Sequence, residues 1–290
     1  MNPVYSPPFA EDYDGLNECF ANMPNRFNSL ETACPYAFQI AILGLKAYSK
    51  SVRYNTRIMF SHFPTALERE QTKLREDREL WGKVITRWYA AFGPLFHDQD
   101  LEVTTMENLG ILQCYVSVLA FDTILDASMK TEECVFDKFL ERFQYIINSS
   151  RFLFQKDQDF RLLGQPMLHF GTGLIMFLFY AATRCRDSTL RREAIAILRE
   201  YQFRNGVWDS LVAAEVANWV ADLEEEGRDK EGLVPERARV RMHTLKATVD
   251  GGVVNVECLQ GVVGDGLRSR IATLSLRPLV FVHSELGKKL

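Results

Sequence analysis

The spacing of apolar positions predicts helices along most of the chain and strands only near its end. The organising stretch is residues 168–226, which reads as three helices joined by two short turns. Its first helix is the apolar run from Gly173 to Ala182. That run ends in Arg184-Cys185-Arg186-Asp187-Ser188, where Asp187 has the right side chain to cap the next helix. The second helix, Thr189 to about Tyr201, carries Leu190, Ala194, Ile197, Leu198 and Tyr201 at three- and four-residue spacings. Arg204-Asn205-Gly206 supplies a break. The third helix begins near Trp208-Asp209 and aligns Leu211, Val212, Val216, Trp219, Val220 and Leu223 in one stripe.

Upstream, Asn28 with Glu31 forms a capping box for a helix bearing Leu30, Tyr36, Phe38, Ile40, Leu43 and Tyr48, which Pro35 either kinks or restarts. Pro64-Thr65 with Glu68 opens a long helix to about Phe92, along which Leu67, Leu74, Trp81 and Trp88 recur every seventh residue. Gly93-Pro94 and the polar patch His97-Asp98-Gln99-Asp100 predict a loop. Thr104 with Glu107 then caps an apolar helix, Leu109 to Leu125, expected at the centre because it has no solvent face. Thr131 starts an amphipathic helix carrying Val135, Phe136, Phe139, Leu140, Phe143, Ile146 and Ile147, closed by a loop at Lys156-Asp157-Gln158-Asp159.

Beyond Gly227 the pattern changes to loose alternation from Val240 to Val249, a turn at Asp250-Gly251-Gly252, and β-branched residues from Val253 to Leu259. Arg270 to Leu276 adds a candidate third strand. The expected fold is therefore mainly α: a multi-helix bundle with a small C-terminal antiparallel β-hairpin or three-stranded sheet. The parts are an extended arm (1–27), a helical domain (28–227), a β appendage packed on it (234–276) and a tail (277–290).

A hydrophobic content of 47% with 20 Phe indicates a folded globule with a substantial core. A net charge of -4 argues against a basic surface for nucleic acid. The six cysteines are far apart, with no C-x-x-C pair, and read as buried thiols in a reducing, intracellular compartment, nuclear or cytoplasmic. Pro166 to Ala182 stands out as the only candidate membrane span, and it is too short and too interrupted to cross a bilayer.

Four segments carry a resemblance. Phe27-Asn28-Ser29-Leu30-Glu31-Thr32-Ala33 is similar to "F-S-S-L-E-E-A", and Ala182-Thr183-Arg184-Cys185-Arg186-Asp187 with Leu190-Arg191-Arg192-Glu193-Ala194-Ile195 to "A-T-K-C-R-D-P-x-I-R-R-x-A-I". Gly206-Val207-Trp208-Asp209-Ser210 is similar to "E-G-L-W-D-S", and Val234-Pro235-Glu236-Arg237-Ala238-Arg239-Val240 to "I-P-E-x-A-R-V". In this order the four resemble the C-terminal effector region of fungal zinc-cluster transcription factors. The resemblance implies a regulatory region that dimerises, binds a protein partner or answers a small apolar metabolite, tied to specialised metabolism. The family's binuclear zinc cluster has no counterpart among these cysteines, so direct nucleic-acid binding is not expected.

Individual residues offer two chemistries. Asp122 and Asp126, four apart on one helix face, suit a metal or acid–base pair, or simply a helix end reaching solvent. His169, between Leu168 and Phe170, is a candidate general base or a capped core histidine. Tyr115, Trp88 and Phe177 join Asp122 and His169 as candidate ligand-binding residues, although aromatic side chains at helical spacing also build cores. His97 near Asp98 and Asp100 is expected in a solvated loop. Arg184, Arg186, Arg191 and Arg192 are expected as surface partners of Asp187, Glu193 and Glu200. No metal or cofactor set is evident. A cofactor-free cyclase or isomerase with an apolar helical pocket is the alternative to a binding module, with His169 or Asp122 as its acid–base group.

Overall fold

The computed structural model describes residues 14–60, 67–97, 105–128, 130–162, 171–202, 204–205, 208–261 and 266–276. Its described helices are α1 (Asp14–Asn22), α2 (Leu30–Phe60), α3 (Glu68–His97), α4 (Met106–Ala127), α5 (Leu140–Leu162), α6 (Gly171–Arg184), α7 (Ser188–Glu200) and α8 (Ser210–Glu225). A short ribbon, β1 (Arg204–Asn205) with β2 (Trp208–Asp209), bridges α7 and α8. The chain then forms a three-stranded antiparallel sheet of β3 (Lys246–Asp250), β4 (Val253–Gln260) and β5 (Arg268–Ser275) in the order β3-β4-β5. The fold is thus mainly α with a small C-terminal sheet, the richer of the two expected forms.

One continuous core runs from α1 to α8. The heptad seam points into the interior: Leu74, Trp81 and Trp88 of α3 are buried, as is Leu67 just before it. The apolar helix α4 lies at the centre, because water-free surroundings are the only place its nearly continuous apolar surface can go. Contrary to the expectation that residues 166–182 were the only candidate span, α4 has the length and composition to cross a membrane. In the fold, 67% of its most apolar window is buried against protein.

Helix α2 runs alongside α4 in the same direction. Leu30 meets Gly110 near the start of both helices, and Gly44 meets Phe121 further along. A Cβ added at Gly110 would sit 2.3 Å from Leu30, and one at Gly44 only 2.7 Å from the Phe121 ring. The two glycines therefore set how closely these helices approach.

Three local expectations are corrected. Residues 14–27 are not an extended arm: α1 docks through Cys19 and Met23, and Phe27 is buried behind it. Arg87 and Tyr36 donate to the carbonyls of Met23 and Asn22, satisfying groups that α1 leaves open. Second, α3 does not stop at Gly93-Pro94 but continues to His97, because Leu95 is buried and Phe96 stacks on Tyr115. Third, α5 passes through residues 156–159, where Lys156 pairs with Asp159 one turn on at 3.2 Å.

Capping is partly shifted too. Ser29 and Thr32 exchange the bonds expected of Asn28 and Glu31, and Thr105 rather than Thr104 caps α4, accepting from the Asn108 N–H. Asp187 caps α7 as expected. Pro35 lies inside an unbroken α2.

The sheet seats on α8. Val254, Val256 and Cys258 of β4 alternate inward and meet Val216, Val220 and Leu223. Gly251 and Gly252, both at positive φ (55° and 84°), make the two-residue hairpin turn that β-carbon-bearing residues disfavour.

Candidate functional site

The cavity with the strongest chemical content lies between α3, α4 and α5 and has a volume of about 560 Å³. Helical periodicity assembles it. Tyr89, Phe92 and Phe96 recur along α3, Tyr115, Leu119 and Asp122 along α4, and Glu141, Arg142 and Tyr145 along α5. The extension of α3 past Pro94 brings His97 to the rim as well.

Its walls are a set of interlocked rings. Tyr115 stacks on Phe96 with centroids 4.4 Å apart and meets Tyr145 edge-on at 5.6 Å. Tyr89 approaches Tyr115 at 5.8 Å. Such contacts hold each ring in place and present flat apolar surface to the cavity.

The polar groups are few and placed. Asp122 Oδ2 lies 3.0 Å from Arg142 Nη1, with the carboxylate side chain only 15% exposed. Burial raises its carboxyl above the usual carboxylate range, against the pull of Arg142 and Arg78. Tyr89 has its Oη buried with no hydrogen-bond partner among the described residues. Burial pushes this phenol well above the ordinary tyrosine range, and the Asp122 charge adds to the shift. It therefore stays protonated within the cavity wall. The Tyr89 ring lines the cavity while its hydroxyl is closed off from water within the wall.

No protein-family model, curated protein or solved structure matches the chain.

Of the residues singled out from sequence, the structure brings Tyr115 and Asp122 into this cavity. Trp88 stands behind its wall, fully buried and stacked on Phe92 at 4.2 Å. Phe177 is a core side chain packed edge-on against Phe121 at 5.5 Å, away from the cavity. His169 lies outside the described residues, as do Asp98 and Asp100. Asp126 does not work with Asp122: it pairs with Arg78 at 2.8 Å and Lys138 at 3.3 Å. Among the described residues no three His, Cys, Asp or Glu side chains cluster as a metal set. Sequence reading missed Tyr89, Tyr145 and Arg142. Tyr89 and Tyr145 sit beside the apolar stripes of α3 and α5 rather than in them, and that offset was the available signal.

The arginine cluster needs the larger correction. Arg184 and Arg191 are not surface partners but buried ions. Glu224, fully buried, lies 2.9 Å from Arg191 Nη1 and 2.8 Å from Arg239 Nη1, and its second oxygen accepts the Val240 N–H. Arg184 pairs with buried Glu133, while Arg239 donates to the Arg184 carbonyl at 2.7 Å. Arg186 grips Asp137, and Arg192 joins Asp222 and Glu225 at the surface. This network ties α6, α7 and α8 to the segment leading into the sheet. It is structural and holds the appendage in register.

Proposed function

We propose that this protein is a small-molecule-binding regulatory module of the kind that its resemblance to fungal zinc-cluster effector regions suggests. The α3–α4–α5 cavity is its ligand site. The observation that carries the reading is the aromatic wall of Phe96, Tyr115 and Tyr145 with the Asp122–Arg142 pair set into it. A ligand suited to this site is flat and largely apolar, with a negative or acceptor group toward Arg142. Ligand occupancy would bias the packing of α3 on α5, and a protein partner or second copy would sense that change.

The test is native mass spectrometry on protein produced in a fungal host, followed by binding measurements with the released compound. The expected result is a stoichiometric adduct whose affinity falls about tenfold in Arg142→Leu, the worth of one hydrogen bond to a charged group. An empty protein that also shows no saturable, Tyr115-dependent binding of anilinonaphthalene sulfonate would refute the reading.

A second reading rests on Asp122, whose raised carboxyl shares the cavity with a protonated Tyr89. That pair suits cofactor-free proton transfer on an apolar substrate. Conversion of the bound compound by the parent protein, lost in Asp122→Asn with binding retained, would establish it. Unchanged compound after long incubation would exclude it.

A further inference from the structure

The seam between α2 and α4 holds a second chemical feature, independent of the ligand cavity and of its proposed role. Leu30 packs against Gly110, where even a Cβ would come within 2.3 Å. Cys34 lies four residues after Leu30 and Cys114 four residues after Gly110. One helical turn along two close-packed helices running in the same direction therefore sets the two cysteines opposite each other. The two thiols are neighbours across the seam, each acting on the other's ionisation. Cys34 faces solvent, whereas Cys114 is buried beneath it.

We propose that Cys34 and Cys114 form a peroxide-oxidisable dithiol site that closes to a disulfide between α2 and α4. A disulfide needs Cα atoms within about 4.4–6.8 Å, which helices reach only where a small residue lets their backbones approach, as Gly110 does here. In the first step the Cys34 thiolate attacks a peroxide oxygen. The O–O bond breaks, hydroxide leaves and is protonated to water, and Cys34 becomes a sulfenic acid. In the second step the Cys114 sulfur attacks the Cys34 sulfur. The S–O bond breaks, and the hydroxide released takes the Cys114 proton as water. Two thiols are oxidised to one disulfide, and one peroxide is reduced to two waters.

The environment separates this pair from the other cysteines. The neighbouring Cys114 holds the Cys34 thiol below its ordinary range, and Cys34 is the exposed one of the six. Burial instead pushes Cys19 and Cys185 up to about 11 and Cys134 and Cys258 up to about 12.

The reduced 290-residue chain is treated with one equivalent of hydrogen peroxide at pH 7, quenched with N-ethylmaleimide and mapped by non-reducing peptide mass spectrometry. The expected product is an intramolecular Cys34–Cys114 cross-linked peptide with the other four cysteines alkylated. Cys34→Ser, a change at an exposed position, abolishes it. Cys114→Ser halts at a Cys34 sulfenic acid that dimedone traps. With maleimide alone, Cys34 reacts at least about tenfold faster than Cys134, because it is exposed and its higher thiolate fraction is only partly offset by lower nucleophilicity. The proposal is overturned if Cys114 stays alkylatable after Cys34 has been consumed, if Cys34 forms only intermolecular disulfides, or if Cys34 reacts no faster than Cys134.

Discussion

Glu224 is the point at which stability is most exposed to a single change. It is fully buried, and so are Arg191 and Arg239, whose guanidinium nitrogens lie 2.9 and 2.8 Å from one of its oxygens. Glu224→Gln keeps the size and an amide oxygen to accept the Val240 N–H, so it removes the charge and little else. Two like-charged guanidinium groups then remain in a water-free site. Removing one partner of a buried ion pair costs about 3–5 kcal/mol. The carbonyls of Ala182 and Arg184 still receive Arg191 and Arg239. That retained solvation places the expected loss toward the lower end, at about 3–4 kcal/mol. At roughly 2–4 °C per kcal/mol for a large domain, the melting temperature should fall on the order of 10 °C. Urea denaturation followed by circular dichroism gives the loss directly. Arg239→Met should cost less than Glu224→Gln, because Glu224 would keep Arg191 as its partner. A Glu224→Gln protein within about 1 kcal/mol of the parent would refute the reasoning, since that is the worth of an exposed pair.

Other consequences follow from local geometry. Burial, with Arg184 and Arg241 adding to it, holds the His243 imidazole down at about 4 from its ordinary 6.5. The folded state then binds fewer protons than the unfolded chain, so this contribution is complete above about pH 6.5 and is lost as pH falls through about 4. His243→Gln should reduce the loss of stability between pH 7 and pH 4.5 by about 2 kcal/mol in parallel urea titrations; an unchanged pH dependence would contradict it. Gly44→Ala should destabilise by about 1–3 kcal/mol, because the new methyl meets the Phe121 ring and the Trp81 indole at 2.7 and 3.2 Å. Thermal melts would show it, and a neutral result would mean that α2 can move off α4 freely. Asp209→Ala removes an oxygen that accepts both the Leu211 and Val212 N–H groups at 3.0 and 3.1 Å. The expected cost is about 1–2 kcal/mol, with Asp209→Asn recovering most of it.

The sequence by itself determined the helical character, the heptad seam of α3, the centrality of α4, the Asp187 cap and the glycine hairpin, because each is written in local spacing and turn chemistry. Local signals failed where burial outweighed them. Pro94 marks a break, yet the packing of Leu95 and Phe96 carries α3 past it and brings His97 to the cavity. The prolines around residues 3–24 suggest an arm, yet Cys19, Met23 and Phe27 find apolar partners only once α2 and α3 are in place. Arg191 and Arg192 look alike in the chain. Arg191 falls within the stripe of Ala194, Ile195 and Leu198 and meets Glu224 in the interior, while Arg192 reaches the surface carboxylates. The cavity shows the same division. Tyr115 and Asp122 stood out along α4, but their joining with Tyr89 and Arg142 depends on how α3 and α5 cross that helix. Periodicity tells which face of a helix is apolar; only tertiary packing decides which other face it meets, and which polar groups are thereby left without water.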